Sequence, residues 1–169
     1  ALALTWDDID TKQGLLTVNK AVKRGERGQY VGSTKNDSSM RTITIDDNTI
    51  KILKAWKAEQ AKTLIGFGFN AIQPNQYIFS KWKDNTPLNT MAPRNALVKI
   101  CNRFDLPMMN IHGFRHTHCS LLFEAGVPMK DVMERLGHSD IQTTMNVYTH
   151  VTKSSRDNSA QMFAKYVNF

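Results

Sequence analysis

The sequence predicts a fold of the α+β class that is mainly α, in which several helices accompany a small three-stranded antiparallel sheet at one edge. β-Branched and alternating apolar residues are concentrated in the first third of the chain. From Asp46 onward, apolar residues instead recur at every third or fourth position, which is the period of a helix. A length of 169 residues, 41% of them hydrophobic, predicts one well-buried core and is short for two domains.

Three short runs are expected to form the sheet, at residues 5–9, 15–22 and 40–45. The second and third runs are joined by residues 24–39, a long polar connection that contains glycine and serine and predicts an extended basic hairpin.

Helices are predicted over most of the remaining chain. Asp46 or Asp47 is expected to cap the first helix, which ends before Gly66. A second helix is predicted over residues 90–104, and Pro107 breaks it. Shorter helices are expected at residues 113–125, 128–136, 140–149 and 156–167.

The charge balance favours a polyanionic partner, because 22 Lys and Arg residues face 15 Asp and Glu residues, a net charge of +7. Cys101 and Cys119 lie in apolar helical patterns and are interpreted as small core residues, without a disulfide framework or a metal quartet. A signal peptide and an apolar run of membrane-spanning length are both lacking, which predicts a cytoplasmic protein without a membrane partner.

His112 and Arg115 lie three positions apart at a predicted helix start, so both side chains can face one point. A guanidinium beside the amides of a first helical turn favours a bound anion such as a phosphate. The alternative is a buried histidine with an arginine that pairs with an acidic neighbour. A metal site at His112, His116 and His118 is disfavoured, because a helical site of this kind needs a well-spaced carboxylate or thiolate.

Leu136-Gly137-His138 is typical of a helix end at which glycine adopts a left-handed conformation and projects the next residue. Asp140 can cap the following helix, which leads to Tyr148. A phenol beside a phosphate clamp can act as a covalent nucleophile, although its ordinary pKa lies near 10 and nearby cations must stabilise the phenolate. The alternative for Tyr148 is a tyrosine that only packs.

Taken in order, these motifs closely resemble the tyrosine recombinase (phage integrase) family. The resemblance rests on Ile-His-Gly-Phe-Arg-His-Thr at 111–117, Leu-Gly-His-Ser at 136–139, Thr-Thr at 143–144 and Tyr-Thr-His at 148–150. It runs from Ala1 to about Thr152 and implies the multi-helix catalytic core of the DNA breaking-rejoining enzymes. The implied activity is site-specific DNA recombination or integration through a 3′-phosphotyrosine intermediate, without a cofactor or a metal, as in phages and mobile elements.

The resemblance also implies a role for each matching residue. Arg115 and His112 would contact the scissile phosphate, and His112 would also accept a proton. His138 would hold a non-bridging oxygen, and Tyr148 would attack phosphorus. Lys35 would protonate the departing 5′ oxygen.

Lys35 is matched through the downstream segment 38–43 and its place in a hairpin, and Lys20 and Lys23 are rival candidates for its role.

Further basic residues are candidates for DNA contact. Lys81, Lys83 and Arg94 are interpreted as contacts to the DNA backbone, with solvated surface charges as the alternative.

The chain opens Ala-Leu-Ala-Leu-Thr-Trp without an initiator Met, so residues 1–169 are interpreted as the catalytic domain of a larger protein. The family's first clamp arginine and its DNA-gripping domain would lie upstream. Because losing one such donor costs about 3 kcal/mol in the transition state, the chain alone is expected to be inactive or nearly so. The implied partners are double-stranded DNA, further copies of the chain in a homotetramer on DNA, and accessory DNA-bending proteins. The tail helix 153–169 is expected to dock on a neighbouring protomer, with folding back on its own core as the alternative.

Three other classes of protein remain as alternatives. Residues 129–136 and 140–148 can form a helix-turn-helix that binds DNA without catalysis, with Gln142, Thr143 and Asn146 at base edges. A type IB topoisomerase would use similar chemistry. A metal-dependent nuclease is disfavoured, because the sequence lacks clustered carboxylates to hold the ion.

Overall fold

The computed structural model describes residues 1–26, 28–34, 39–151, 163–164 and 166–167, with side chains left undescribed at 143, 150 and 151. The chain divides into two compact units, Ala1–Pro107 and Met108–Phe169. The length predicted one core, whereas each unit contains an apolar cluster of its own. The difference arises because the helices that follow Pro107 pack on one another.

The predicted three-stranded antiparallel sheet is confirmed in the first unit, with strand order β1-β2-β5. A second, two-stranded sheet pairs β3 with β4 in the region that was predicted to be a hairpin connection. The strands are β1 (Ile9–Asp10), β2 (Leu15–Val18), β3 (Lys20–Gly25), β4 (Gly28–Ser33) and β5 (Arg41–Thr44). The expected strand 15–22 is therefore divided between two sheets. Its second half pairs with β4 instead, because Gly25 and Gly28 close a tight turn at which Gly28 has a φ of 114°.

The prediction of a strand over residues 5–9 is wrong for most of its length, because Trp6–Asp8 forms a single turn of 3-10 helix. The Asp8 carboxylate accepts hydrogen bonds from the Thr5 amide at 2.7 Å and from the Thr5 hydroxyl at 3.0 Å. Such local bonds between side chain and backbone compete with a strand ladder, which explains the difference.

The first unit also contains α1 (Asp47–Gly66) and α2 (Ala92–Phe104), close to the predicted bounds. Asp46 caps α1 as predicted, since its carboxylate accepts from the amides of Asn48 and Thr49. The apolar cluster is built on Trp6, Ile9 and Ile78.

A buried amide, Gln60, joins the parts of this cluster. Its Oε1 accepts from Trp6 Nε1 at 2.8 Å, and its Nε2 donates to the carbonyl oxygens of Tyr77 and Ile78 at 2.7 and 3.1 Å. Because both ends of the buried amide are hydrogen-bonded, the group stabilises the packing of α1 on the segment around Trp6 and on the segment around Tyr77.

The second unit consists of α3 (Ile111–Glu124), α4 (Met129–Leu136) and α5 (Ile141–Val151), which pack around Cys119, Val132 and Leu136. Helix α3 begins two residues before the predicted position, because the side chain of Asn110 caps it by accepting from the Gly113 amide at 2.6 Å. Cys101 and Cys119 are both buried free thiols, as predicted. The predicted helix 156–167 lies largely outside the described residues.

Across the described ranges, none of the helices is long and apolar enough to cross a membrane.

Candidate anion-binding and catalytic site

A cavity of about 270 Å³ opens within the second unit, and its lining contains three of the residues predicted from the sequence. Helix α3 contributes one face, and the Gly137 turn and α5 complete the lining. The lining residues are His112, Arg115, His116, Cys119, His138 and Val147. The predicted convergence of His112 and Arg115 is therefore found, because positions that differ by three and four share a helix face.

Arg115 is bonded to a neutral partner. Its Nε–H donates to Nε2 of His138 at 3.1 Å, and no carboxylate of the described residues forms an ion pair with it. Burial lowers the pKa of the Arg115 guanidinium, which still remains charged at neutral pH, and burial raises the pKa of the nearby Cys119 thiol. The cavity therefore holds a positive charge that no carboxylate of the described residues neutralises.

The hydrogen bonds of His138 define its protonation state. Since Nε2 accepts from Arg115, it carries a lone pair, and the ring proton must lie on Nδ1. Nδ1 lies 2.8 Å from Oγ1 of Thr144, whose side chain is fully buried. In this arrangement His138 is neutral and donates to Thr144.

The chain turns at Gly137 as predicted, since this residue has a φ of 67° at the end of α4. The amide of His138 donates to the carbonyl of Met133 at 3.1 Å, and that of Gly137 donates to Glu134 at 3.1 Å. These two bonds form a Schellman motif, which ends α4 and directs His138 toward the cavity.

We expect Gly137→Ala to lower the free energy of unfolding by about 1–2 kcal/mol, because a side chain disfavours the left-handed conformation. Urea denaturation measures this change. Gly66→Ala is the matched control: Gly66 is the last residue of α1, and an added methyl group would meet nothing within 4 Å. Equal stability of the two variants would contradict the role assigned to the Gly137 turn.

Tyr148 is 37% exposed, and its ring packs edge-to-face on Phe123 with centroids 5.0 Å apart. It does not line the cavity, although its neighbour Val147 does. Thr144 and Tyr148 lie four positions apart and thus share a face of α5. The tyrosine is therefore one helical turn beyond the residue that holds His138.

Two cavity residues were not predicted as members of the site. His116, considered only as a metal ligand, lines the cavity and packs edge-to-face on His112 with centroids 4.6 Å apart. Cys119 was predicted only as a core residue. Their positions four and seven residues after His112 are the helical signal that would have identified both residues.

His118 does not line the cavity: its Nε2 accepts from Nε of Arg135 at 3.2 Å. Burial, and then the charge of Arg135, lower the pKa of His118. Within the described ranges, no group of three or more His, Cys, Asp or Glu residues is arranged to hold a metal ion.

Lys20 and Lys23, the rival candidates for the role of Lys35, lie on β3 in the first unit. Lys35 lies outside the described residues. Its rival Lys20 forms an ion pair with buried Asp8 at 2.8 Å and donates to Thr5 Oγ1 at 2.9 Å. Burial by itself would raise the pKa of Asp8, but the hydrogen bonds from Lys20 and Thr5 outweigh it, and the net pKa is lowered. Lys20 therefore stabilises the fold, and Lys23 pairs with Tyr30 in the β3–β4 register.

Lys81, Lys83 and Arg94 are all exposed, as a contact to DNA would require. The amine of Lys81 lies 3.5 Å from Asp84 in an exposed pair. The role of these residues in DNA binding stays a prediction.

A guanidinium and three imidazoles surround one cavity, and a tyrosine lies on the adjoining helix; these are groups that can bind an anion and attack it. The model of the phage integrase family matches residues 1–155. The chain belongs to this family.

Comparison with curated proteins finds relatives of the same kind. The chain is 33% identical to a XerC-like tyrosine recombinase of Caldanaerobacter subterraneus subsp. tengcongensis, over 95% of this chain and 44% of that protein. It is 34% identical to the ICEBs1 integrase of Bacillus subtilis, over 89% of this chain and 40% of that protein. The integrase of Staphylococcus phage L54a is 31% identical over 98% of this chain and 47% of its own length. The chain thus spans less than half the length of these relatives.

Solved structures share the fold. The Tn1549 transposon integrase, in complex with circular intermediate DNA, matches with a TM-score of 0.76 and 23% identity, over 95% of this chain and 54% of that one. The XerA recombinase matches with a TM-score of 0.63 and 16% identity, over 98% of this chain and 51% of that one. These similarities confirm the predicted mainly α fold with its small sheet.

Proposed function

We propose that this chain forms the catalytic domain of a site-specific DNA recombinase, in which Tyr148 breaks and rejoins strands through a 3′-phosphotyrosine bond. The observation that carries the proposal is the convergence of His112, Arg115 and His138 on one cavity. The family to which the chain belongs supports the same function. The integrases among the relatives favour a phage or another mobile element as its source.

In the proposed reaction, the scissile phosphate enters the cavity and its non-bridging oxygens approach Arg115. In-line attack increases the negative charge on those oxygens, so donors held in place stabilise the transition state more than the ground state. A guanidinium suits this task because it remains charged and presents several donors in a fixed plane. His112, on the same face of α3, is the proposed acceptor of the Tyr148 proton.

Attack by Tyr148 forms a phosphotyrosine ester and releases a 5′ hydroxyl, to which Lys35 is the proposed proton donor. The new ester replaces the old one, so a different 5′ hydroxyl can rejoin the strand and return the proton to the tyrosine. The chemistry requires no nucleotide cofactor.

We propose double-stranded DNA as the substrate, with Lys81, Lys83 and Arg94 as contacts to its backbone and a homotetramer as the active assembly. The exposure of these cations and the net charge of +7 support DNA binding. Accessory DNA-bending proteins remain part of the proposal.

The other classes of protein explain less of the site. A non-catalytic helix-turn-helix would account for the exposed Gln142 and Asn146 on α5, which bond to each other at 3.0 Å, but not for the cavity. A type IB topoisomerase is not favoured, because the relatives reported above are integrases and recombinases.

A nicked suicide substrate tests the proposal, because cleavage near the nick releases a short strand and traps the covalent complex. We expect the protein at its full natural length, incubated with its attachment site in EDTA, to give a protein–DNA band on a denaturing gel. DNA binding without such a band would overturn the proposal in favour of the helix-turn-helix alternative. Cleaved DNA without a covalent band, formed only when Mg²⁺ is added, would point to a metal-dependent nuclease.

A further inference from the structure

We propose that Thr144 is the positioning residue of His138: its hydroxyl holds the imidazole by Nδ1 and allows Nε2 to change from acceptor to donor. This inference rests on the proposed function, because it concerns how the site accepts a phosphate. Thr144 does not line the cavity, and the proposed reaction gives it no contact with DNA.

In the structure, Arg115 is hydrogen-bonded to His138. Nε–H of Arg115, one of the five N–H donors of the guanidinium, donates to Nε2 of His138 at 3.1 Å, so Nε2 presents a lone pair rather than a proton. An anionic oxygen that enters the cavity would meet the lone pair of Nε2, and the two would repel each other. His138 can contribute to phosphate binding only after Nε2 gains a proton.

Thr144 makes that change possible without charging the ring. Because Nε2 of His138 accepts from Arg115, the ring proton lies on Nδ1, which is 2.8 Å from Oγ1 of Thr144 and donates to it. A hydroxyl both accepts and donates, whereas a carboxylate or carbonyl oxygen only accepts. When an anion binds, Nδ1 loses its proton to solvent, Nε2 takes one from solvent, and the Thr144 hydroxyl rotates to donate to Nδ1. The ring stays neutral and hydrogen-bonded throughout.

Burial and helix geometry give Thr144 this role. Its side chain is fully buried, so the hydroxyl has a fixed position, and the loss of its partner would leave a buried polar group unsatisfied. Helix α5 also carries Tyr148 one turn further along the same face. The same helix therefore orients the histidine and presents the nucleophile.

The protonation of His138 can be measured independently of catalysis. In the 169-residue chain labelled with ¹⁵N-histidine, long-range ¹H–¹⁵N spectra distinguish the two neutral forms of each of the five imidazoles. The His138→Gln spectrum identifies the signals of His138 by their absence. We expect a proton on Nδ1 in the free protein and a shift toward a proton on Nε2 on titration with dimethyl phosphate.

Two substitutions at Thr144 distinguish the effect of its hydroxyl group from the effect of its packing. Thr144→Val keeps the volume and removes the hydroxyl. We expect the fraction of His138 that carries its proton on Nδ1 to fall, so that this form is no longer the main one. Thr144→Ser keeps the hydroxyl, and we expect it to retain the wild-type spectrum. A His138 spectrum that is the same in wild type and Thr144→Val would overturn the proposal.

Covalent-complex formation gives the second readout. At saturating DNA we expect Thr144→Val to form the complex about tenfold more slowly, with unchanged DNA affinity, and Thr144→Ser to stay within about threefold of wild type. Equal slowing by both substitutions would indicate packing alone and overturn the proposal. If the wild-type protein at its full natural length forms no covalent complex, the proposed function fails, while the spectra of the 169-residue chain still decide whether Thr144 controls the protonation of His138.

Discussion

Replacing Tyr148 by Phe is expected to abolish the covalent protein–DNA complex and to leave DNA affinity unchanged. The substitution removes only the phenolic oxygen, which in the proposed reaction is the atom that bonds to phosphorus. The ring would keep its edge-to-face contact with Phe123, so the packing of α5 on α3 should persist. The measurement is a denaturing gel with the suicide substrate, run beside a binding titration of the intact duplex.

Tyr30→Phe is the matched control, because Tyr30 is also an exposed tyrosine but lies on β4 in the first unit. We expect this variant to form the covalent complex at the wild-type rate. A Tyr148→Phe protein that still forms a covalent band would show that another group attacks the phosphate. Loss of DNA binding together with the band would indicate that the phenol contributes to binding.

Much of the site was predictable from the sequence, because bonds between residues close in the chain determine where its helices begin and end. The Gly137 turn, for example, sets the end of α4 through bonds to nearby carbonyls, whereas the cap by Asn110 at the start of α3 was missed. His112 and Arg115 share a face of one helix, so their convergence follows from helical periodicity alone.

Features that depend on packing between distant segments were not predictable in this way. Whether Thr144 meets His138 is decided by how α5 packs on the other helices of the second unit. Two local features were missed for a different reason, which is that an apolar pattern does not reveal them. The pairing of β3 with β4 depends on a tight turn between two glycines. Trp6–Asp8 forms a 3-10 turn because Asp8 bonds to Thr5. This bond competes with strand pairing, and strand propensity does not take it into account.

The second large effect is expected at Arg115. We expect Arg115→Ala to slow covalent-complex formation by about 10²–10³-fold at saturating DNA, the typical loss when one preorganised donor to a developing oxyanion is removed. Arg115→Lys keeps the charge, but an ammonium cannot reproduce the planar donors of a guanidinium, so we expect it to remain well below wild type. Single-turnover kinetics with the suicide substrate measure both variants.

Arg103→Ala is the control for the loss of one positive charge, because Arg103 lies on α2 in the first unit and is exposed. Its rate should stay close to that of wild type. Because Arg115 donates to His138 at 3.1 Å, its removal takes away the donor to Nε2 of the histidine and leaves the contact of Nδ1 with Thr144 in place. Addition of guanidinium ion should partly restore the Arg115→Ala rate, since the ion can occupy the vacated volume and supply the same donors. An Arg115→Ala protein with a rate within threefold of wild type would exclude this residue as the phosphate clamp.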